Sequence, residues 1–519
     1  MIDALRDPAR YPHPAQRVEV LETHISWVLL AGEYAYKIKK PVALGFLDFS
    51  TLQARRFYCD EELRLNRRTA PQLYLEVVPI TGSASAPRLG GTGEAIDYAV
   101  KMRRFSQDAL MSRMAEAGAL RSEHIDALAQ VVAAFHARVA RATAGQPYGS
   151  AAEVLAPAMQ NFDQIEALGG AGAEAPLLAR LRAWTGEEHD RLRELFDARR
   201  SEGFVRECHG DLHLGNVALL EGRPTPFDGI EFNESFRWID VMNEVAFMAM
   251  DLADRKLPRL AQRFLNAYLE ATGDYPGLAV LRFYMVYRAL VRAKVACIRE
   301  RQDGLAEEAR RRAEREHHEY LRLADSLAHG SRPALILMHG LAGSGKTTVA
   351  QCLLEALGAV RLRSDVERKR LAGLGAEARS HSALGAGLYT AELTGRAYGR
   401  LAELARAILR AGYPAIVDAT FLLRAQRRDF SALANDLRVP WAIASCEAPL
   451  EVLRERVERR GRGAHDASEA GIEVLEHQIA SLEPLSEEER RSCVSFDTRG
   501  HSGAAVAKLA GLLRLAVAA

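Results

Sequence analysis

The chain has 519 residues, of which 48% are hydrophobic and 26% are charged, and its 69 basic and 68 acidic side chains leave a net charge of +1. A charge so close to zero excludes strong electrostatic attraction as a reason to bind nucleic acid or an anionic membrane, so neither is expected as a partner. The six cysteines are scattered without a C-x-x-C pair, and no signal sequence or membrane-spanning run stands out. We expect a cytoplasmic protein of two or three domains.

The first hundred residues carry the pattern of β-strands. The segments HISWVLL and YAYKIKK flank a short turn at residues 31–33 and predict a hairpin. A helix is expected from Thr51 to about Arg68, with further strands at LYLEVVPI and DYAVKMRRF. Because alternate residues of a strand point the same way, Lys37 and Lys39 are expected on one face.

Helical patterns dominate the middle of the chain. Helices rich in Ala, Leu, Arg and Glu are expected from about Gln107 to Arg200, and helices resume from Trp238 to about Leu327. A boundary is expected at residues 328–333, where Gly, Ser and Pro separate two patterned segments. The predicted domains are residues 1–330, with lobes of about 1–106 and 107–330, and residues 331–519.

A polar loop, HGDLHLGN, lies between the helical stretches and is followed by a short strand, VALL, and by the triplet FDG. Phosphoryl transfer to an alcohol needs a carboxylate beside the attacking hydroxyl and oxygen ligands for Mg²⁺ on the phosphates. Asp211 can supply the first, and Asn216 and Asp228 the second. H-x-D-x-x-x-x-N followed by D-G matches the catalytic-loop and metal-loop pattern of protein kinases. Taken singly, Asp211 also fits a helix cap and Asn216 a turn.

The sequence HGDLHxGN resembles the signature of the aminoglycoside phosphotransferase family, whose fold is protein-kinase-like and bilobal. The resemblance implies that Asp211 is the catalytic base and that Asn216 and Asp228 bind the metal. It implies a loop-ordering role for His209.

The resemblance also implies a strand lysine for the α and β phosphates and a helix glutamate to position it. Lys37 fits the A-x-K spacing, with Glu61 or Glu62 as its partner. The chain departs from the kinase pattern because no G-x-G-x-x-G precedes this lysine. Another segment must cover the phosphates, and residues 23–26 are the candidate.

Three acidic residues after the FDG triplet complete this set. Asp240 and Glu244 resemble the family's acidic residue that anchors the catalytic loop from a neighbouring helix. Glu231 is a candidate contact to metal or substrate, and a solvent-facing side chain is the alternative.

Residues 335–348, LILMHGLAGSGKTT, contain an apolar run followed at once by G-x-x-x-x-G-K-T. The order strand, glycine loop, helix is the context that a phosphate-binding loop requires. Backbone N–H groups of the loop point at phosphate oxygens, Lys346 reaches the β and γ phosphates, and the Thr347 hydroxyl can hold Mg²⁺. The chain is therefore predicted to bind ATP. The predicted ATP-binding residues are Gly340, Leu341, Ala342, Gly343, Ser344, Gly345, Lys346, Thr347, Thr348 and, in the first domain, Lys37.

The segment RLRSDVERKR resembles the D-x-x-R element of P-loop small-molecule kinases such as gluconate kinase, polynucleotide kinase and zeta-toxin-like proteins. The resemblance implies that Asp365 approaches the acceptor hydroxyl, as a catalytic residue together with Lys346, and that Arg368 orients the substrate. A helix cap with a solvated basic face is the alternative. Asp418 ends the buried strand PAIVDAT, where a carboxylate would hold Mg²⁺ through water. An arginine-rich run at 454–462 is expected at a lid hinge, before a helix that starts near Asp466.

The whole arrangement resembles bacterial fusion proteins that join an aminoglycoside phosphotransferase-like domain to an ATP-binding domain. The expected fold is α/β and α+β, a kinase-like bilobal domain followed by a P-loop domain with a parallel sheet. The expected function is Mg-ATP-dependent transfer of the γ-phosphoryl group, with two nucleotide sites, to a hydroxyl of a small molecule. The alternatives are an ATP-hydrolysing regulatory switch and a zeta-toxin-like kinase whose N-terminal domain only binds a ligand.

Overall fold

The computed structural model describes residues 1–44, 47–169, 172–302, 304–375, 390–462, 471–500 and 503–518. The chain forms two compact units. The first contains residues 1–160 and 189–251, and the second contains residues 161–188 and 252–519. The second unit therefore unites the helices after residue 252 with everything C-terminal to them, whereas the sequence predicts a domain boundary near residue 330.

The first unit begins with an antiparallel sheet of strand order β1-β2-β3-β8-β6-β7. Alternation along the strands separates its two faces: Tyr36 and Ile38 pack into an apolar core with Leu5, whereas Lys37 and Lys39 lie on the other face. The predicted hairpin, helix and strands of this region are confirmed. The elements are β1 (Val18–Glu22), β2 (Ser26–Ala31), β3 (Tyr34–Lys39), β4 (Ala43–Leu44), β5 (Leu47–Asp48), α1 (Leu52–Asn66), β6 (Tyr74–Ser83), β7 (Ala86–Leu89) and β8 (Ala95–Arg103).

Helices and short strands follow. The predicted helix start at Trp238 is wrong, because Trp238 pairs with Glu207 in a short antiparallel ladder. The helix begins three residues later, where the Asp240 carboxylate accepts a hydrogen bond from the Met242 N–H and caps the first turn. The elements are α2 (Met111–Glu116), α3 (Ser122–Arg138), α4 (Ala151–Ala167), α5 (Ala175–Ser201), β9 (Val205–Glu207), β10 (Val217–Leu220), β11 (Arg223–Pro226), β12 (Trp238–Asp240) and α6 (Val241–Asp254).

The second unit contains a parallel sheet of strand order β14-β15-β13-β16-β17. Ile336 and Met338 of the central strand pack against Leu353 and Leu509 on one face of this sheet. The predicted helix start near Asp466 lies outside the described residues. The elements are α7 (Pro258–Thr272), α8 (Leu278–Glu300), α9 (Glu307–His329), β13 (Leu335–His339), α10 (Lys346–Leu357), β14 (Val360–Arg363), α11 (Ser364–Leu371), α12 (Ala391–Arg410), β15 (Ala415–Asp418), α13 (Arg424–Asp436), β16 (Trp441–Glu447), α14 (Leu450–Arg462), α15 (Ile472–Ser481), α16 (Glu487–Arg491), β17 (Cys493–Asp497) and α17 (Gly503–Leu513).

Across the ranges that the structure describes, none of the helices combines the length and the apolar character needed to cross a bilayer.

Candidate functional sites

A buried carboxylate fixes the start of the loop at residues 209–216 through hydrogen bonds. Glu244 of α6 accepts hydrogen bonds from the backbone N–H groups of His209 at 2.8 Å and Gly210 at 3.2 Å, and it contacts His136 Nε2 at 2.9 Å. Burial alone would raise the pKa of the Glu244 carboxyl, but its bonds to His136 and the loop outweigh burial and lower that pKa to about 2. Glu244 is thus an ionised anchor of the loop.

The other two predicted ordering residues make different contacts. His209 Nε2 lies 2.9 Å from the Phe227 carbonyl, which ties the loop to the FDG segment, and burial lowers the pKa of this imidazole. Asp240 instead receives two hydrogen bonds from Arg199 of α5, at 2.6 and 2.9 Å. Asp240 therefore joins α5 to the start of α6, and Glu244 is the residue that holds the loop.

The predicted catalytic and metal residues of this loop come together. Asn216 Nδ2 donates to the Asp211 carboxylate at 2.9 Å. Strands β10 and β11 form a hairpin, and at its open end the Phe227 N–H donates to the Asn216 carbonyl, so Phe227 lies opposite Asn216 and Asp228 is the next residue. The Asp211 side chain is 38% exposed, which leaves its carboxylate accessible to an acceptor hydroxyl.

A buried group of alternating charges lies beside Asp228. Lys37 Nζ contacts Glu62 at 2.8 Å and donates to the Asp228 carboxylate, whereas Lys39 Nζ contacts Glu62 at 2.8 Å and donates to Glu231. Burial raises the pKa of Glu62, but the two ammonium groups outweigh it and lower that pKa to about 2. Of the two predicted partners, Glu62 is the one that binds Lys37.

Glu231 has a different position from the one expected of a substrate ligand. Its side chain is only 4% exposed, and its carboxylate already binds Lys39. The sequence could not show this contact, because the two residues are 192 positions apart.

A cavity of about 640 Å³ opens on the same sheet face as Lys37. Its lining includes Leu21 of β1, Leu30 of β2 and the segment that follows β8, Arg103 to Phe105. The volume is within the range of small-molecule sites. Only residues 23–25 separate β1 from β2, so the segment that the sequence proposed as a phosphate cover is a tight turn.

The glycine loop of the second unit has the backbone that phosphate binding needs. Gly343 has a φ of +78°, and a Cβ there would lie 2.7 Å from the Leu453 carbonyl oxygen. Ser344 Oγ is buried and has no hydrogen-bond partner within the described ranges, so the loop retains an unsatisfied polar atom that a phosphate oxygen can satisfy. Lys346 Nζ donates to the Gly340 and Leu341 carbonyls, at 2.9 and 2.8 Å. The residues present fit a nucleotide phosphate.

The two predicted metal residues of this unit are in contact, because Thr347 Oγ1 donates to the Asp418 carboxylate at 2.9 Å. Asp365, predicted as catalytic, and Arg368, predicted to orient the substrate, also contact each other, with Arg368 Nη1 2.9 Å from Asp365 Oδ1 in α11. A hydroxyl beside a carboxylate at the end of a glycine loop is the ligand set that Mg²⁺ takes in P-loop proteins.

Two residues that sequence reasoning did not single out also contact the glycine loop. Arg456 of α14 donates to the Gly343 carbonyl at 3.3 Å and to Thr498 Oγ1 at 2.8 Å. Gln478 of α15 accepts a hydrogen bond from the Ala342 N–H at 2.7 Å. The arginine-rich run contains Arg456, but its composition does not distinguish this arginine from its neighbours.

Two family matches divide the chain. Residues 59–284 match the phosphotransferase enzyme family, and residues 335–485 match the AAA domain family AAA_33. The uncharacterized protein Rv2004c of Mycobacterium tuberculosis is 31% identical over 451 residues, which cover 87% of this chain and 88% of that protein. The uncharacterized protein Mb2027c of Mycobacterium bovis has the same identity and coverage.

The chain belongs to the family of these mycobacterial proteins. It is a fusion of an aminoglycoside phosphotransferase-like domain and a P-loop domain, as the sequence predicted. Its fold class, a kinase-like domain followed by a P-loop domain with a parallel sheet, is confirmed. The two matches support a nucleotide-dependent kinase.

Solved structures with a similar chain trace include two kinases. The amicoumacin kinase hAmiN, in complex with AMP-PNP, Ca²⁺ and Ami, is 13% identical, covers 62% of this chain and 93% of its own, and has a TM-score of 0.40. A sugar kinase from Janibacter sp. HTCC2649 is 22% identical, covers 36% of this chain and 95% of its own, and has a TM-score of 0.27.

Proposed function

We propose that the protein is a Mg-ATP-dependent phosphotransferase with two nucleotide sites, and that it transfers the γ-phosphoryl group to a hydroxyl of a small molecule. The observation that supports this proposal is the contact between Asn216 and Asp211, with Asp228 one residue beyond Phe227, the residue paired with Asn216 at the end of the β10–β11 hairpin. A carboxylate next to two oxygen-bearing metal ligands is what phosphoryl transfer to an alcohol requires.

In this proposal Asp211 accepts the proton of the acceptor hydroxyl as its oxygen bonds to the γ-phosphorus. The bond between the γ-phosphorus and the bridging oxygen breaks, and ADP leaves with that electron pair. Lys37, held by Glu62 and Asp228, binds the α and β phosphates. When bound, Mg²⁺ at Asn216 and Asp228 neutralises charge on the phosphates. Adenine would occupy the 640 Å³ cavity beside the segment after β8.

The P-loop site is proposed to act in the same way with its own residues. Lys346 and the loop N–H groups bind the phosphates, Thr347 and Asp418 hold the metal, and Asp365 receives the acceptor proton. Arg368 would orient that acceptor. In the zeta-toxin-like alternative, only the P-loop site transfers a phosphoryl group. In the ATP-driven switch, the P-loop site hydrolyses ATP and no small molecule is phosphorylated.

The test is incubation of the purified protein with Mg-ATP and a metabolite extract, with mass spectrometry for any species that gains one phosphoryl group. Asp211→Asn and Lys346→Ala are run alongside, since each removes one site. A product lost in one variant identifies the active domain and the acceptor. Release of phosphate without a phosphorylated product would reject the transferase and support the switch, and a product lost only in Lys346→Ala would support the zeta-toxin-like alternative.

A further inference from the structure

The parallel sheet of the second unit has an edge strand, β14, and side chains of α7 seal this edge. Asn266 accepts a hydrogen bond from the Arg361 N–H at 2.7 Å and donates to the Ala359 carbonyl at 3.0 Å. Gln262, one turn earlier, donates to the same carbonyl at 2.7 Å. These bonds take the place of a neighbouring strand at the Arg361 N–H of β14 and at the Ala359 carbonyl just before it, and α7 lies within the phosphotransferase match.

One turn after Asn266, the same helix presents a carboxylate to two arginines of β14. Glu270 Oε2 accepts from Arg361 at 3.1 Å, and Glu270 Oε1 accepts from Arg363 at 2.9 Å. Burial raises the pKa of Glu270, but the charges of Arg363 and Arg361 outweigh it and bring that pKa below its ordinary value. Glu270 is therefore a half-buried anion that binds both guanidinium groups.

Arg363 is the last residue of β14 and lies between two sets of acids. In the parallel register it is opposite Asp418, the proposed metal ligand, and Asp365 follows two residues later. Burial lowers the pKa of the Arg363 guanidinium, but the charges of Glu270, Asp418 and Asp365 outweigh it and raise that pKa. If Glu270 lost its charge, the half-buried Arg363 guanidinium would keep the attraction of Asp418 and Asp365 without the carboxylate that opposes them on the α7 side.

We infer that Glu270 is a positioning residue of the P-loop site, because it holds the Arg363 guanidinium on the α7 side and leaves the Asp418 carboxylate available to Thr347 and Mg²⁺. The inference rests on the proposed nucleotide site at the P-loop. Helix α7, which lies within the phosphotransferase match, would then influence Mg²⁺ binding at the P-loop site. The P-loop site would therefore depend on the phosphotransferase region of the same chain.

The test measures Mg²⁺-dependent binding of a fluorescent ATP analogue, methylanthraniloyl-ATP, to the full chain in a Lys37→Met background. Binding that disappears on Lys346→Ala reports the P-loop site. Glu270→Gln is expected to raise the Mg²⁺ concentration for half-maximal binding about tenfold, which corresponds to one rearranged ion pair of ~1.4 kcal/mol, and to leave binding without Mg²⁺ unchanged. Adding Arg363→Gln to Glu270→Gln should restore the Mg²⁺ requirement, because no guanidinium remains to occupy Asp418.

Glu355→Gln is the matched control, since Glu355 of α10 forms another ion pair with α7, with Arg263 at 2.8 Å, and both partners are about as exposed as Glu270. It should leave the Mg²⁺ requirement unchanged. Equal effects of Glu270→Gln and Glu355→Gln, or no rescue by Arg363→Gln, would show a merely structural role and overturn the inference. If the metabolite experiment gives no phosphorylated product, the proposed transfer is wrong, but the effect of Glu270→Gln on Mg²⁺-dependent binding still tests this inference. If the Lys37→Met protein shows no nucleotide binding that depends on Lys346, both the proposed P-loop nucleotide site and this inference are wrong.

Discussion

Lys37 and Lys39 have nearly the same sequence context but different surroundings in the structure. Both contact Glu62, yet Lys37 reaches the half-exposed Asp228, whereas Lys39 is fully buried and binds Glu231. The A-x-K spacing favours Lys37, but no local pattern shows where Lys39 points. That information lies in contacts between residues about 190 positions apart, which a single sequence does not record.

Replacing each lysine should separate a catalytic role from a structural one. Lys39→Met should lower the free energy of unfolding by about 3–5 kcal/mol, because Glu231 would be left buried without its partner. Lys37→Met should cost less stability, since Asp228 is 43% exposed and can be hydrated, but it should abolish N-terminal transfer. Urea unfolding and the phosphoryl-transfer assay measure the two effects. Equal losses of stability, or normal transfer in Lys37→Met, would contradict this assignment.

Glu244 should make the free energy of unfolding depend on pH in the acidic range. Its pKa in the folded protein, about 2, lies below the ordinary 4.5, so its contribution is complete above pH 4.5 and is lost as pH falls towards 2. Glu244→Gln should therefore be less stable at pH 7, by on the order of 3 kcal/mol, and the difference should shrink below pH 4.5. Urea unfolding at pH 3 and pH 7 tests this. Glu76→Gln, which removes an ion pair at a carboxylate that is 55% exposed, is the control and should change the free energy of unfolding by less than about 1 kcal/mol.

At the scale of elements, local sequence patterns predicted individual strands and helices, whereas the pairing of segments far apart in the sequence could not be predicted. The two segments on either side of a short turn predicted β2 and β3, and the apolar run before the glycines predicted β13. The sequence predicts that helices resume at Trp238, but Trp238 pairs with β9, about thirty residues earlier, which no local pattern shows. Asp211 and Asn216 could be proposed as site residues because they are close in the sequence. Asn66 and Tyr74 could not, although they accept hydrogen bonds from the Gly229 and Asp228 N–H groups of the FDG segment, because they lie more than 150 residues earlier.

The glycine loop should be intolerant of a side chain at one defined position. Gly343→Ala places a methyl group 2.7 Å from the Leu453 carbonyl and forces a φ of +78° on alanine, so the loop or α14 must shift. We expect Lys346-dependent nucleotide binding to fall at least tenfold, an order-of-magnitude loss for ~1.4 kcal/mol of strain. Gly395→Ala, in α12 with open space around it, should keep binding and raise stability slightly. Equal binding by both variants would show that the loop adapts to a side chain.

At the scale of the whole molecule, sequence domains and compact units divide the chain differently. The family matches separate residues 59–284 from residues 335–485, and composition predicts a linker near residue 330. The second compact unit nevertheless includes α7, α8 and α9. Side chains of α7 contribute to this union, because they bond to the Arg361 N–H of β14 and to the Ala359 carbonyl just before it. No sequence pattern marks Asn266 for this purpose, because an asparagine in an amphipathic helix is usually a solvated residue.

This arrangement predicts that the linker near residue 330 is a poor place to divide the protein. A fragment of residues 331–519 would lose three hydrogen bonds, two donated by Asn266 and Gln262 to the Ala359 carbonyl and one donated by the Arg361 N–H to Asn266, worth about 1 kcal/mol each. It would also expose a strand edge that can pair with other chains. We expect it to unfold at lower urea concentration than a fragment of residues 252–519 and to self-associate, as measured by urea titration and analytical ultracentrifugation. Asn266→Ala in the longer fragment should reproduce part of the loss. A monomeric 331–519 fragment of equal stability would show that the P-loop domain does not need α7.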